Sequence, residues 1–294
     1  MATHLLHSVS YAGLWGQAAL TVDQFVDKAA ELGYSGIMLM AKRPHVSPID
    51  YGPMERAALR AHIEKAGLVA PILAGYCNLT ADLDHSEIPH REIWVGYLTE
   101  LARLAHDLGA TAVRVFTGYE HPGAPVQTQF QYIAGTLREA AKRAADFGIT
   151  LAVQNHHDIA AGYESFYDLL RTINEPNCKA AFDAWAPALH GADVVAAARL
   201  LGPLTIHSTI ADYQLRPRYK YVPALVNYQP ERPYVQAVPM GEGFIDYVSF
   251  INALSETGFE GTLAYEMCSP LRDGNDLATL DRYARRYLEH SGGA

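Results

Sequence analysis

Four side chains with the chemistry of metal ligands, Gln154, Asp183, His207 and Glu266, stand at the ends of the short apolar or β-branched runs ITLAVQ, CKAAFD, LTIH and TLAYE. A loop and a helical pattern follow each run. In a barrel of alternating strands and helices such strand ends converge on one mouth, where catalytic groups gather. The spacing therefore predicts that an amide oxygen, an imidazole and two carboxylates share one divalent ion. That mixed oxygen and nitrogen set suits a hard to borderline cation, Mn2+ first and Mg2+ or Co2+ as alternatives, better than a closed thiolate site.

The elements needed to position them are legible in the hydrophobic period. Helical stripes such as TVDQFVDKAAELG and REIWVGYLTELARLAHDLG alternate with apolar strands such as SGIMLM, LVAPILAGY and TAVRVFTG, and eight strand-helix units can be counted. Eight repeats of that unit point to an α/β fold, a closed (β/α)8 TIM barrel forming a single domain over residues 1–294. Four helical segments end at Gly33, Gly67, Gly109 and Gly148, the residue that closes helices in the left-handed conformation. The segment 213–240 breaks the pattern with five prolines and five tyrosines. It is too long for a minimal connection and is expected to be an inserted loop at the mouth, covering substrate or packing on another subunit.

Composition bounds the partners. With 294 residues, 49% hydrophobic content and a net charge of -9, the chain has material for one large core and no electrostatic footprint for nucleic acid or an anionic membrane. Three cysteines at unrelated spacings argue for free thiols in a reducing compartment, and no apolar stretch is long enough to span a bilayer. A cytoplasmic location is expected.

The segments LAVQNHH, AFDAW, IHSTIAD, PMGEGFIDY and GTLAYE resemble those of the xylose isomerase-like barrel superfamily, the sugar phosphate isomerase/epimerase family, over nearly the whole chain. That resemblance implies one divalent ion on Gln154, Asp183, His207 and Glu266, where the family supplies Glu, Asp, His and Glu. It implies a small carbohydrate substrate and proton abstraction next to a carbonyl through a metal-bound enediolate, hence an isomerase or epimerase. The alternatives are a lyase that performs β-elimination on a 3-keto-sugar, and a non-catalytic sugar-binding or partner subunit. The chain departs from the epimerase pattern at Gln154, which cannot take up a proton, at Ala186 and at Tyr213.

With one carboxylate gone, His156, two residues beyond Gln154, becomes the expected acid or base beside Glu266. Expected substrate contacts are Tyr11, Lys42, His157, Trp185, Asp212 and Arg216, and Arg114 within AVRVF is expected to orient a carboxylate. A homo-oligomer, or a complex with a small partner subunit, would suit the long helices and the extended insertion. A DNA-repair endonuclease on the same barrel would need clustered basic residues that this acidic chain lacks.

Overall fold

A computed structural model of the chain describes residues 2–81 and 83–291. Eight parallel strands close in the order β1 (Thr3–His7), β10 (Thr262–Tyr265), β7 (Thr205–Ile210), β6 (Cys178–Ala181), β5 (Thr150–Gln154), β4 (Ala112–Val115), β3 (Val69–Ala74) and β2 (Gly36–Met40). The (β/α)8 barrel read from the period is the barrel observed. Its helices form the outer ring: α1 (Val22–Glu31), α2 (Pro53–Lys65), α3 (His90–Asp107), α4 (Val126–Ala145), α5 (Tyr163–Ile173), α6 (Trp185–Leu189), α7 (Val194–Leu201), α8 (Tyr247–Glu256) and α9 (Leu277–Ser291).

Local sequence explains the boundaries. Thr21 caps α1 in a capping box with Gln24, each side chain bonding the other's backbone N–H. Gly33 and Gly148 close α1 and α4 with φ of +87° and +68°, values a side chain would strain. Apolar stripes of the helices pack on the outward faces of the strands in one continuous core that includes Phe25, Leu101, Leu137, Phe166, Phe250 and Tyr287.

The inside of the barrel is layered. Leu5, Met38, Ile72, Ala74, Ala112 and Ala264 form a separate apolar cluster that plugs the floor. Side chains on a strand alternate in facing, so several inward residues one layer above this plug are polar: Arg114 follows Ala112 by two and Glu266 follows Ala264 by two. A closed floor leaves the C-terminal mouth as the place where those groups meet solvent.

The inserted segment 213–240 is not a loop. It is an antiparallel ribbon of β8 (Tyr213–Val222) and β9 (Asn227–Ala237), paired from Tyr213↔Ala237 to Val222↔Asn227. Most of its side chains are exposed on both faces, including Tyr219, Tyr221, Tyr228 and Tyr234. Its prolines obscured the strand period. Pro217 and Pro233 sit at a register shift between Arg216 and Arg218, where proline in a ribbon is tolerated.

Candidate active site

A cavity of about 550 Å3 opens at the C-terminal mouth, lined by groups from every side of the barrel. Gln154, Asp183 and Glu266 reach it, as do Lys42, Arg114, His156, His157 and Trp185. Aromatic side chains make up much of the rest: Trp15, Trp94, Phe116, Tyr119 and Tyr213. Such a shape, mostly apolar with a few convergent polar groups, is that of a small-molecule site.

His207 does not join this cavity, which corrects its placement as a ligand. The sequence run LTIH suggested a strand ending at 207, but β7 continues to Ile210. His207 pairs in register with Thr262 of β10, and its Nδ1 lies 2.7 Å from Thr262 Oγ1. Glu266 stands four residues further along β10, about 13 Å up the strand direction. The imidazole is wholly buried in the layer beneath, and burial together with the charge of Arg114 lowers its pKa to about 3. The inward residue at the level of Asp183 is Thr209, whose backbone N–H donates to Asp183 Oδ1 at 2.7 Å. Alternation puts His207 and Thr209 on the same face, and the register between strands decides which of the two stands level with Asp183.

This placement bears directly on an ion. Asp183 has both oxygens engaged, Oδ1 by Thr209 and Oδ2 by the Gln154 amide, while Asn155 accepts from the Asp183 N–H and donates to its carbonyl at 2.7 and 2.9 Å. Among the described residues, no three His, Cys, Asp or Glu side chains gather closely enough to hold one cation. Gln154 Oε1 is buried without a partner, but an amide oxygen, one already bonded carboxylate and Glu266 are an incomplete set. The residues present do not fit the four-ligand ion.

Electrostatics of the site are set by desolvation around the cations Arg114 and Lys42. Burial raises Asp183 to about 7 against the opposing hydrogen bonds from Thr209 and Gln154. Burial also raises Glu266, opposed by Arg114, and His7 Nδ1 lies 3.9 Å from its Oε2. Lys42 is lowered by burial and then by Arg114. His156 and His157 touch through Nδ1 atoms 2.9 Å apart and pack on Phe116. Burial lowers both, with their mutual proximity next for His156 and Arg114 contributing to each, although His156 remains open to solvent at the mouth, which limits the fall. His157 adopts φ +69° and ψ 166°, a region almost reserved for glycine.

Three expected substrate contacts lie elsewhere. Tyr11 is fully buried beneath α9, donating to Asp281 Oδ1 at 3.0 Å, because a 3-10 turn at Ser8–Tyr11 carries it away from the mouth. Asp212 closes the base of the ribbon: its Oδ2 accepts from the N–H groups of Gly241 and Gly243, both at 2.9 Å. Arg216 bonds across the ribbon to Gln236 Oε1 at 3.0 Å. Lys42, His157 and Trp185 do line the cavity, Trp185 with its ring 4.4 Å from that of Tyr213. Arg114, expected to support a carboxylate, instead faces the cavity with Nε unpartnered. A charge inside an apolar strand run was the available signal.

A closed eight-stranded barrel whose acid, base and cationic groups gather at the C-terminal mouth is the architecture of a TIM-barrel enzyme scaffold. The profile described as "Xylose isomerase-like TIM barrel" matches residues 26–287, and the chain belongs to this family. Solved structures share the fold over almost their full lengths. A xylose isomerase domain protein from Planctomyces limnophilus is 18% identical with a TM-score of 0.73, covering 99% of this chain and 96% of that one. A D-psicose 3-epimerase crystallised in the presence of D-fructose is 17% identical, TM-score 0.75, with 98% of each chain covered. A probable 3-DHS dehydratase of petrobactin synthesis from Bacillus anthracis is 18% identical, TM-score 0.70, with 99% of each covered. At these identities the likeness shows the fold alone. No curated protein sequence matches the chain.

Proposed function

We propose that the chain is a sugar-modifying enzyme that moves a proton next to a carbonyl, an isomerase or epimerase of carbohydrates, with Glu266 as the proton-carrying group. The observation that carries this is a desolvated carboxylate in a cavity shared with two cations, Lys42 and Arg114. Desolvation strengthens Glu266 as a base, and a base tuned toward the working pH typically contributes about 10²–10⁴-fold. Positive charge fixed nearby, in a site of low dielectric, stabilises the negative charge that grows on the carbonyl oxygen as the proton leaves. The names of the fold neighbours, sugar 3-epimerases and a dehydratase, are in keeping with this chemistry.

Gln154 narrows the possibilities. An amide cannot act as a second base, so exchange of a proton between adjacent carbons on one face suits this site better than a symmetric two-carboxylate epimerisation. His156 and His157, held neutral, then serve as hydrogen-bonding groups at the mouth, and Trp185, Trp94 and Tyr119 give flat surface for a sugar ring. A second reading, β-elimination, is favoured by Asp183: a carboxyl near pH 7 carries a proton in part of the molecules and so can protonate a departing group. No step in either scheme needs the four-ligand ion.

Incubating the protein with ketoses and with 3-keto-glycosides, followed by mass spectrometry, tests both. A mass-neutral product supports isomerisation; expulsion of water or an aglycone supports the lyase. Glu266→Gln is expected to lower turnover at least about 100-fold. Unchanged turnover in that variant would remove Glu266 from the mechanism.

A further inference from the structure

Two cations of the cavity, Arg114 and Lys42, have no ion-pair partner among the described residues. Arg114 is 2% exposed, and its one hydrogen bond to another described residue runs from Nη1 to Gly75 O at 3.1 Å. Its Nε is buried with no acceptor. The guanidinium carbon lies 4.1 Å from the Phe116 ring centroid and 4.8 Å from that of Tyr76. Lys42 Nζ lies 4.1 Å from the same Tyr76 centroid, so one ring positions both charges. Among the described residues neither has a carboxylate within 4.0 Å, whereas the other buried arginine, Arg56, is paired with both Glu100 and Asp107.

An unpaired guanidinium in the interior is costly, and contact with aromatic faces returns only part of what water supplied. The two acids of the cavity feel Arg114 only beyond ion-pair distance: Asp183 is tied to Thr209 and Gln154, and the basic group nearest Glu266 is His7. A charge that develops only during reaction leaves the resting complex uncompensated. We propose that Arg114 and Lys42 anchor a carboxylate carried by the substrate, so that the enzyme acts on an acidic sugar. This deepens the proton-transfer reading and rests on it for the identity of the remainder of the substrate.

A carboxylate fits the pair for two reasons. The planar guanidinium fork matches a carboxylate in bidentate geometry, and Lys42, packed on the same Tyr76 ring, adds a mobile point charge. Asp183 and Glu266 in the same cavity oppose a dianion, which separates a carboxylate from a phosphate.

The test compares probes that differ in one group. D-gluconate is set against D-glucitol and D-glucuronate against D-glucose, with binding to the full chain followed by calorimetry and by fluorescence of the cavity tryptophans. Each acid is expected to bind at least tenfold tighter than its neutral partner at low salt. Lys42→Met and Arg114→Lys are expected to erase most of that preference, and the circular dichroism of each variant confirms its fold. Because Lys42 is only half-buried, its variant remains informative if the arginine variant unfolds. Equal affinity within each pair, no binding of either acid, a preference that survives both substitutions, or tighter binding of a hexose phosphate than of gluconate would each overturn the assignment. Glu266→Gln separates the two readings. Acid binding retained there without turnover in the native protein leaves the anchor and removes the reaction; turnover of neutral ketoses with no acid preference does the reverse.

Discussion

Replacing Asp183 by Asn should stabilise the protein, by an amount that depends on pH in a defined way. Asp183 is 5% exposed, and burial raises its pKa from 3.8 to about 7. A carboxyl with a raised folded pKa holds its proton more tightly in the native state. Its contribution is therefore neutral at acid pH and becomes unfavourable as pH rises from 3.8 toward 7, where the unfolded chain ionises and the folded one resists. About three pKa units correspond to roughly 4 kcal/mol, reached near pH 7 and level above it. The isosteric amide keeps an oxygen for the Thr209 N–H, and its new N–H group finds the Gln154 Oε1 that is otherwise partnerless once the Gln154 amide turns over. Urea unfolding of both proteins between pH 4 and 9 isolates this carboxyl. Buried histidines such as His207, whose pKa is depressed, destabilise both proteins alike as pH falls below 6.5, so they cancel in the difference. The expected difference is small at pH 4, rises through pH 7 and then stays constant at a few kcal/mol. A difference that does not change with pH, or a less stable amide variant at pH 8, would refute the reasoning.

Other outcomes follow from single features. Elemental analysis of protein purified without chelator should find well under one Mn2+, Mg2+ or Co2+ per chain, and His207→Ala should leave that figure unchanged; one tightly held ion lost with His207 would contradict the depth assigned to that imidazole. Arg56→Met severs the pairs to Glu100 and Asp107 that tie α2 to α3 at 2.7 and 2.9 Å. Since those acids remain partly exposed, a loss of about 1–2 kcal/mol is expected in denaturant titration. At position 157, glycine should be more stable than alanine by about 1–2 kcal/mol, because both lose the ring contacts with Phe116 and Tyr119 but only alanine retains the backbone strain. The reverse order in urea midpoints would show that φ +69° costs nothing there.

Much of the architecture was open to reading because it repeats. Each strand-helix unit carries its own hydrophobic period, and eight of them leave little choice but closure; Gly33, Gly67, Gly109 and Gly148 mark helix ends through backbone conformation alone. Three of the four candidate ligands were placed at the mouth because Gln154, Asp183 and Glu266 lie within two residues of their strand ends. The ribbon at 213–240 was hidden because pairing between its two arms is a non-local property, and five prolines masked the alternation.

The sequence by itself determined the layer of chemistry: which residues can carry a proton or a charge, and that they sit on strands aimed at a common mouth. Depth along the barrel was decided only in three dimensions. Register between β7 and β10 places His207 opposite Thr262 and hands the level of Asp183 to Thr209, a two-residue difference that one strand's pattern cannot reveal. The same holds for charge balance, since whether Arg114 meets a carboxylate depends on neighbours from other strands. Alternation fixes the face of a side chain, whereas stagger between hydrogen-bonded strands fixes its height, and only the closed barrel sets that stagger.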